Sequence, residues 1–160
     1  MKFSVNQRDL QNALNYCQGV IEKRSTLPIL SNVLLEAKNE NLKITATDLD
    51  LIFIQNIKNI EIEDEGQTTT SCSIMYDIVR KFNNEKKINF NLMSENKINL
   101  ESDKSSFNLN CLKASEFPIT EANFNENEFI LNSKKLLKLL NKCKFSVSND
   151  ETRHYLSGIF

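Results

Sequence analysis

The chain has 160 residues, 40% of them hydrophobic and 26% charged, a balance that excludes an intrinsically disordered chain and suits one packed domain with a remainder. Twenty Lys and Arg against 21 Asp and Glu leave a formal net charge of −1, so any contact with nucleic acid must be local and not spread over the whole surface. No apolar run approaches the roughly 18 residues of a membrane span, and polar Asn6-Gln7-Arg8-Asp9 interrupts any signal-peptide core; no membrane association and a cytoplasmic location are expected.

In chain order, Phe3 and Val5 alternate as a short strand, and Asn6 precedes a helix whose Leu10, Ala13, Leu14 and Cys17 follow the spacing of one buried face. Gly19 is expected to close that helix. Strands then follow over Ile29 to Ala37 and Leu42 to Ala46, with Lys38-Asn39-Glu40-Asn41 as their hairpin turn, and over Leu51 to Ile57 and Asn59 to Ile62. Ser73 reads as the cap of a second helix, Ile74 to Phe82. Ile88 to Met93, Lys97 to Glu101 and Ser106 to Leu112 read as three more strands. Phe117-Pro118 ends this unit and the polar stretch Thr120 to Asn127 reads as a linker. The expected fold is α+β, with two helices and about eight strands in the first domain.

The chain also repeats itself. Residues 2–34 align without gaps to residues 128–160. Identities fall at Phe3/Phe129, Asn6/Asn132, Leu10/Leu136, Leu14/Leu140, Asn15/Asn141, Cys17/Cys143, Thr26/Thr152, Leu30/Leu156 and Ser31/Ser157. The second copy therefore predicts a strand ending at Leu131, an N-cap at Asn132 or Ser133, and a helix presenting Leu136, Leu139, Leu140 and Cys143 on one face. The expected organisation is a domain over 1–119, a linker over 120–127, and the truncated start of a second repeat over 128–160. A piece that short cannot cover its own leucine face.

Candidate chemistry is sparse. Cys17, Cys72, Cys111 and Cys143 have no metal-type spacing and read as reduced, mostly buried hydrophobes. His154 is the one histidine and no nucleophile motif accompanies it, and the three glycines form no phosphate-cradling loop. Asp48 and Asp50 form a D-x-D that would serve a metal only if both carboxylates shared a strand face; the competing reading is a turn pair. No metal, cofactor or catalytic residue is expected. Lys134, Lys138 and Lys142 recur every four residues opposite the leucines, as a solvated face or as a phosphate-contacting stripe.

With the repeat in view, several segments acquire a common meaning: Met1-Lys2-Phe3-Ser4-Val5, Arg24-Ser25-Thr26-Leu27-Pro28-Ile29-Leu30-Ser31-Asn32, Ala46-Thr47-Asp48-Leu49-Asp50, Glu116-Phe117-Pro118 and Arg153-His154-Tyr155-Leu156-Ser157-Gly158. In order and spacing they resemble the bacterial DNA polymerase III β subunit family, the sliding clamps. The resemblance implies a DNA clamp fold, tandemly repeated, two helices on antiparallel sheets in each domain, and a head-to-tail homodimer that closes a ring around double-stranded DNA without reading its sequence. It implies a non-catalytic processivity factor whose partners, the polymerase III catalytic subunit and the clamp loader, dock short hydrophobic peptide motifs.

Carried over by position, the resemblance implies DNA contacts at Arg24, Asn149, Asp150, His154 and Tyr155, joined by the Lys134, Lys138 and Lys142 stripe. It implies a partner-peptide pocket drawing on Arg153, Tyr155 and Leu156. It implies a subunit interface at Phe82, Phe107 and Leu109 with Lys104 as an ionic partner, those apolar residues forming an exposed patch in this chain. The chain itself is expected not to close a ring. The alternatives are a clamp fragment without function and a metal-dependent nucleic-acid enzyme using Asp48 and Asp50.

Overall fold

The computed structural model describes residues 1–22, 26–83, 86–119, 130–148, 150 and 152–159, with the side chain of His154 excepted. It divides into two compact units, Met1–Thr120 and Glu121–Phe160.

Unit 1 is built from strands β1 (Lys2–Asn6), β2 (Asn32–Lys38), β3 (Asn41–Thr47), β4 (Ile52–Lys58), β5 (Glu61–Asp64), β6 (Gly66–Ser71), β7 (Lys87–Ser94), β8 (Lys97–Ser102) and β9 (Ser105–Leu112), with helices α1 (Gln7–Cys17) and α2 (Cys72–Val79). The nine strands run antiparallel in the order β4-β3-β2-β6-β9-β8-β7-β1-β5. This is the α+β arrangement of helices on an antiparallel sheet that the sequence predicts.

Both helices join the main core. Leu10, Ala13, Leu14 and Cys17 of α1 and Cys72, Met75 and Val79 of α2 pack with Phe3, Val33, Leu35, Ile44, Ile88, Phe90, Ile98 and Leu100 of the strands. Phe3 and Phe90, paired across β1 and β7, stack with ring centroids 4.7 Å apart and planes 4° from parallel. Gln7 is fully buried and donates from Nε2 to the Val79 carbonyl at 2.8 Å, tying the start of α1 to the end of α2. Because strand side chains alternate in direction, Leu34 turns away from the helices. It packs with Ile29, Leu30 and Phe117 in a second, smaller cluster, so β2 is buried on both faces.

The turns follow from local chemistry. Lys38 pairs with Asn41, and between them Asn39 (φ 50°) and Glu40 (φ 58°) are both left-handed, the geometry that suits a two-residue hairpin to the strand twist. At Gly66 the demand is closeness: a Cβ there would meet the Met1 Cβ at 2.9 Å.

Several boundaries differ from expectation. Pro28–Ser31 forms a 3-10 turn, so β2 starts at Asn32 and not Ile29; Pro at the first position pre-sets that turn. The α2 N-cap is Ser71, while Ser73 lies inside the helix and donates to the Gln18 side chain at 3.3 Å. That helix stops at Val79, and Phe82 sits in the turn beyond it. Gly19 lies just past α1 in a right-handed turn, its amide bonded to the Tyr16 carbonyl, with Gln18 as the C-cap. Strand β6, Gly-Gln-Thr-Thr-Thr-Ser, has no apolar residue and is an addition to the expected set. Its Thr68, Thr69 and Thr70 are buried; the Thr69 and Thr70 hydroxyls donate to the Leu112 and Asn110 carbonyls, both at 3.0 Å.

Cys17, Cys72 and Cys111 are buried and Cys143 is half-buried, all as free thiols. Burial pushes the Cys111 thiol above its ordinary value. Timed alkylation at neutral pH, followed by mass spectrometry, is therefore expected to modify Cys143 first, the other three following only as the protein opens. Simultaneous rapid modification of all four would contradict the core described above.

In unit 2, α3 spans Ser133–Cys143 and short 3-10 turns span Lys144–Ser146 and His154–Leu156. Helices α1 and α3 are each 11 residues long and occupy matching positions of the sequence repeat.

Candidate nucleic-acid interface and partner-binding loop

Helix α3 begins where its cap chemistry dictates. The Asn132 side chain accepts from the Lys135 amide at 3.2 Å, satisfying one of the amides that a helix start leaves without a partner. From that start the 3.6-residue period places Lys134, Lys138 and Lys142 along one side, all exposed. Leu136 and Leu140 lie on the other side and are also exposed, at 40% and 41%, with Leu137 at 59% and Leu139 at 60%. Leaving so much leucine in water is unfavourable by roughly 25 cal/mol per Å² of apolar surface, so this face is built to be covered. The cationic side carries no such penalty. It can attract phosphates from flexible, well-solvated ammonium groups, which gives weak and sequence-independent contacts.

After α3 the chain folds into a loop closed by the Ser148 amide donating to the Leu156 carbonyl at 2.8 Å. The Asp150 amide donates to the Ser148 hydroxyl at 3.1 Å. One Asp150 carboxylate oxygen accepts from the Thr152 amide at 3.0 Å and the Thr152 hydroxyl at 2.6 Å. The other pairs with Arg153 Nε at 3.0 Å. The Thr152 hydroxyl, its amide and the Arg153 guanidinium together hold the Asp150 carboxyl below the usual carboxylate range. Tyr155 is 81% exposed and Leu156 42%, on the same short turn as Arg153. The structure thus brings Arg153, Tyr155 and Leu156 together on one loop. Arg24 and Asn149, and the His154 side chain, lie outside the described residues.

In unit 1, Phe82 is half-buried and meets Phe107 edge-on, with ring centroids 5.8 Å apart. Phe107 is 40% exposed, but Leu109 is only 7% exposed and belongs to the main core. The expectation of an exposed patch containing Leu109 is corrected accordingly. The two residues share one face of β9, opposite Leu100 and Ile98 of β8, but Leu109 lies further along the strand, beside the buried β6–β9 junction, while Phe107 sits at the margin. Lys104 is exposed in the two-residue turn joining β8 to β9, next to Asp103 (φ 53°).

Asp48 and Asp50 do not share a strand face. They flank Leu49 (φ 86°) in the turn after β3, where an Asp48 carboxylate oxygen accepts from the Asp50 and Leu51 amides at 3.0 and 2.7 Å. Asp48 is therefore a turn-former, as short acidic side chains often are. Among the described residues, no three His, Cys, Asp or Glu side chains gather as a metal-ligand group, and no helix is long and apolar enough to cross a membrane. Sequence reasoning did not single out an open polar cleft of about 410 Å³ between α1 and β4, lined by Asp9, Asn12, Tyr16, Gln55, Asn56 and Lys58 among others. Its two walls are some forty residues apart in sequence, so no local pattern marks it.

Residues 1–121 match the family described as DNA polymerase III beta subunit, N-terminal domain. The chain belongs to this family. Among DNA polymerase III beta subunit relatives, the beta sliding clamp of Caulobacter vibrioides (strain NA1000 / CB15N) is 33% identical over 161 residues, covering 100% of this chain and 43% of its own length. A solved Caulobacter crescentus pol III beta structure superposes with a TM-score of 0.91 at 34% identity, covering 99% of this chain and 42% of its own. A DnaN sliding clamp from Bartonella birtlesii bound to griselimycin superposes at 0.94, also at 34% identity, over 99% of this chain and 42% of its own. This family member thus spans about two fifths of the length of the relatives it matches. The similarity continues past residue 121 through the α3 helix and the Arg153–Leu156 loop.

Proposed function

We propose that this chain acts as part of a sliding clamp, a processivity factor without catalytic chemistry that encircles duplex DNA and tethers the replicative polymerase in the cytoplasm. The observation that carries the reading is similarity to beta sliding clamps over the whole chain, in sequence and in fold, and not over one domain alone. Residues 1–119 form the first clamp domain, 120–127 the linker and 128–160 the opening of the second. The exposed leucines of α3 are then the inner side of that second domain's core, which aims Lys134, Lys138 and Lys142 at the DNA backbone.

Contacts from Arg24, Asn149, His154 and Tyr155 would join the lysines near the face of the ring. Arg153, Tyr155 and Leu156 form part of the pocket in which the polymerase catalytic subunit and the clamp loader dock short hydrophobic peptides. Phe82 and Phe107, together with Lys104 of the β8–β9 turn, serve the head-to-tail contact between subunits, and Leu109 belongs to the core behind that strand. Nothing in this role calls for a cofactor or a metal, because holding a polymer by topology needs no bond to be made or broken.

Topology supplies the test. A protein carrying this chain, loaded onto nicked circular duplex DNA, is expected to stay bound in a gel-filtration assay at moderate salt and to be lost once a restriction enzyme linearises the circle. A ring slides off a free end, whereas a groove binder does not. Equal retention on circular and linear DNA would reject the clamp reading.

A further inference from the structure

Gln7 opens α1 and is fully buried, although a glutamine is ordinarily found in solvent. Its Nε2 donates to the Val79 carbonyl and to Gln11 Oε1, both at 2.8 Å, while its own Oε1 is buried with no partner among the described residues. A buried acceptor left without a partner is unfavourable, and an apolar side chain of the same length would not carry that penalty. Nor does a helix start need the group, since the matching position of the sequence repeat, at the start of α3, is Ser133. Core stability therefore does not account for an amide at this position.

What Gln7 holds is the connection from α2 to β7. The Val79 carbonyl accepts from the Phe82 amide at 3.2 Å as well as from Gln7, so both of its lone pairs are used. At the other end of the connection the Gln7 backbone amide donates to the Lys86 carbonyl at 3.1 Å, and the Lys86 amide donates to the Asn83 carbonyl, also at 3.1 Å. One residue thus grips both ends of the segment that carries Phe82, whose ring meets Phe107 edge-on at 5.8 Å. The β8–β9 turn is tied to the same place, by the Ser102 hydroxyl donating to the Lys87 carbonyl at 3.1 Å and by Lys86 Nζ pairing with Asp103 at 3.2 Å. We infer that Gln7 is a positioning residue for the contact between subunits, fixing the α2–β7 connection so that Phe82 stands against Phe107 before a partner arrives. The inference rests on the reading of Phe82 and Phe107 as that contact. A ring on a surface connection loses freedom when an interface captures it, and holding it beforehand removes part of that loss. Gln7 is buried and so touches no partner itself; it acts through the Val79 carbonyl that it shares with the Phe82 amide.

Two measurements test this, with thermal denaturation followed by circular dichroism as the folding control for each variant. On the 160-residue chain, NMR cross-peaks between the Phe82 and Phe107 rings report their contact. They are expected to be strong in the wild type and to weaken in Gln7→Met, which keeps the length of the side chain without its donor, while the thermal midpoint stays within a few degrees. Leu42→Ala truncates the same core on β3, between β2 and β4, and should lower the midpoint while leaving the cross-peaks intact. In a protein carrying this chain, analytical ultracentrifugation is expected to give a subunit dissociation constant about tenfold higher for Gln7→Met, with Leu42→Ala close to the wild type.

Unchanged cross-peaks and an unchanged dissociation constant in folded Gln7→Met would overturn the positioning role while leaving the subunit contact intact. A Gln7→Met protein that fails to fold, or whose midpoint falls as far as that of Leu42→Ala, would make Gln7 a core residue and overturn the inference as well. Phe82→Ala separates the inference from the reading beneath it: this variant is expected to weaken subunit association at least as much as Gln7→Met does. A folded Phe82→Ala protein that associates like the wild type would remove the subunit reading of Phe82, and the inference with it.

Discussion

Phe90→Ala is expected to destabilise unit 1 by about 4 kcal/mol, lowering its thermal midpoint by more than about 10 °C. Phe90 is 1% exposed and lies in β7, whose neighbours β1 and β8 both feed the main core. Its ring stacks on Phe3 at 4.7 Å, so truncation removes apolar burial, leaves a cavity beside the other ring and ends an aromatic contact in one step. The surrounding strands are hydrogen-bonded on both sides and cannot collapse inward without breaking register. Ile74→Ala is the control. Ile74 is 54% exposed on α2, and its truncation should cost less than about 1 kcal/mol. Thermal denaturation followed by circular dichroism separates the two. A Phe90→Ala midpoint within a few degrees of the wild type would mean that the two rings are not packed as described.

The second large effect is electrostatic. In a protein carrying this chain, changing Lys134, Lys138 and Lys142 together to Glu is expected to weaken retention on circular DNA and to lower the salt slope of binding by up to about 3 units, equally for any sequence. Each lysine that neutralises about one phosphate releases about 0.9 of a counterion, so three contacts set that ceiling. The fold should survive, because all three side chains are exposed and exposed charge changes alter stability by only about half a kcal/mol each. The corresponding triple Gln variant should fall between, since it removes attraction without adding repulsion. Dissociation measured against salt concentration tests the slope. A folded Glu variant with an unchanged slope would make the stripe an ordinary solvated helix face.

Much of the fold is legible in the order of residues. The leucine spacing of α1 and α3, the Asn132 cap and the hairpin turn at Asn39-Glu40 are local signals, decided by residues within one or two turns of each other. Most strands are legible too, because apolar residues mark them wherever one face is buried. Strand β6 is not, since Thr68, Thr69 and Thr70 are buried by their neighbours β2 and β9 and not by any apolar character of their own. Its run of β-branched residues is the one signal that could have revealed it.

The sequence by itself determined the two helical repeats, the α+β class and the side of α3 that carries its lysines, because a helix's period rigidly ties each residue to a face. Only the tertiary structure decided what each face meets. It put Leu109 in the core and Phe107 at its margin, although both share one side of β9. It turned Asp48 toward the backbone amides of its own loop, and it joined Asp150 to Arg153. Burial and charge partnership depend on residues brought in from elsewhere in the chain or on the detailed path of a turn. Neither quantity is periodic, so neither can be read from the order of residues alone.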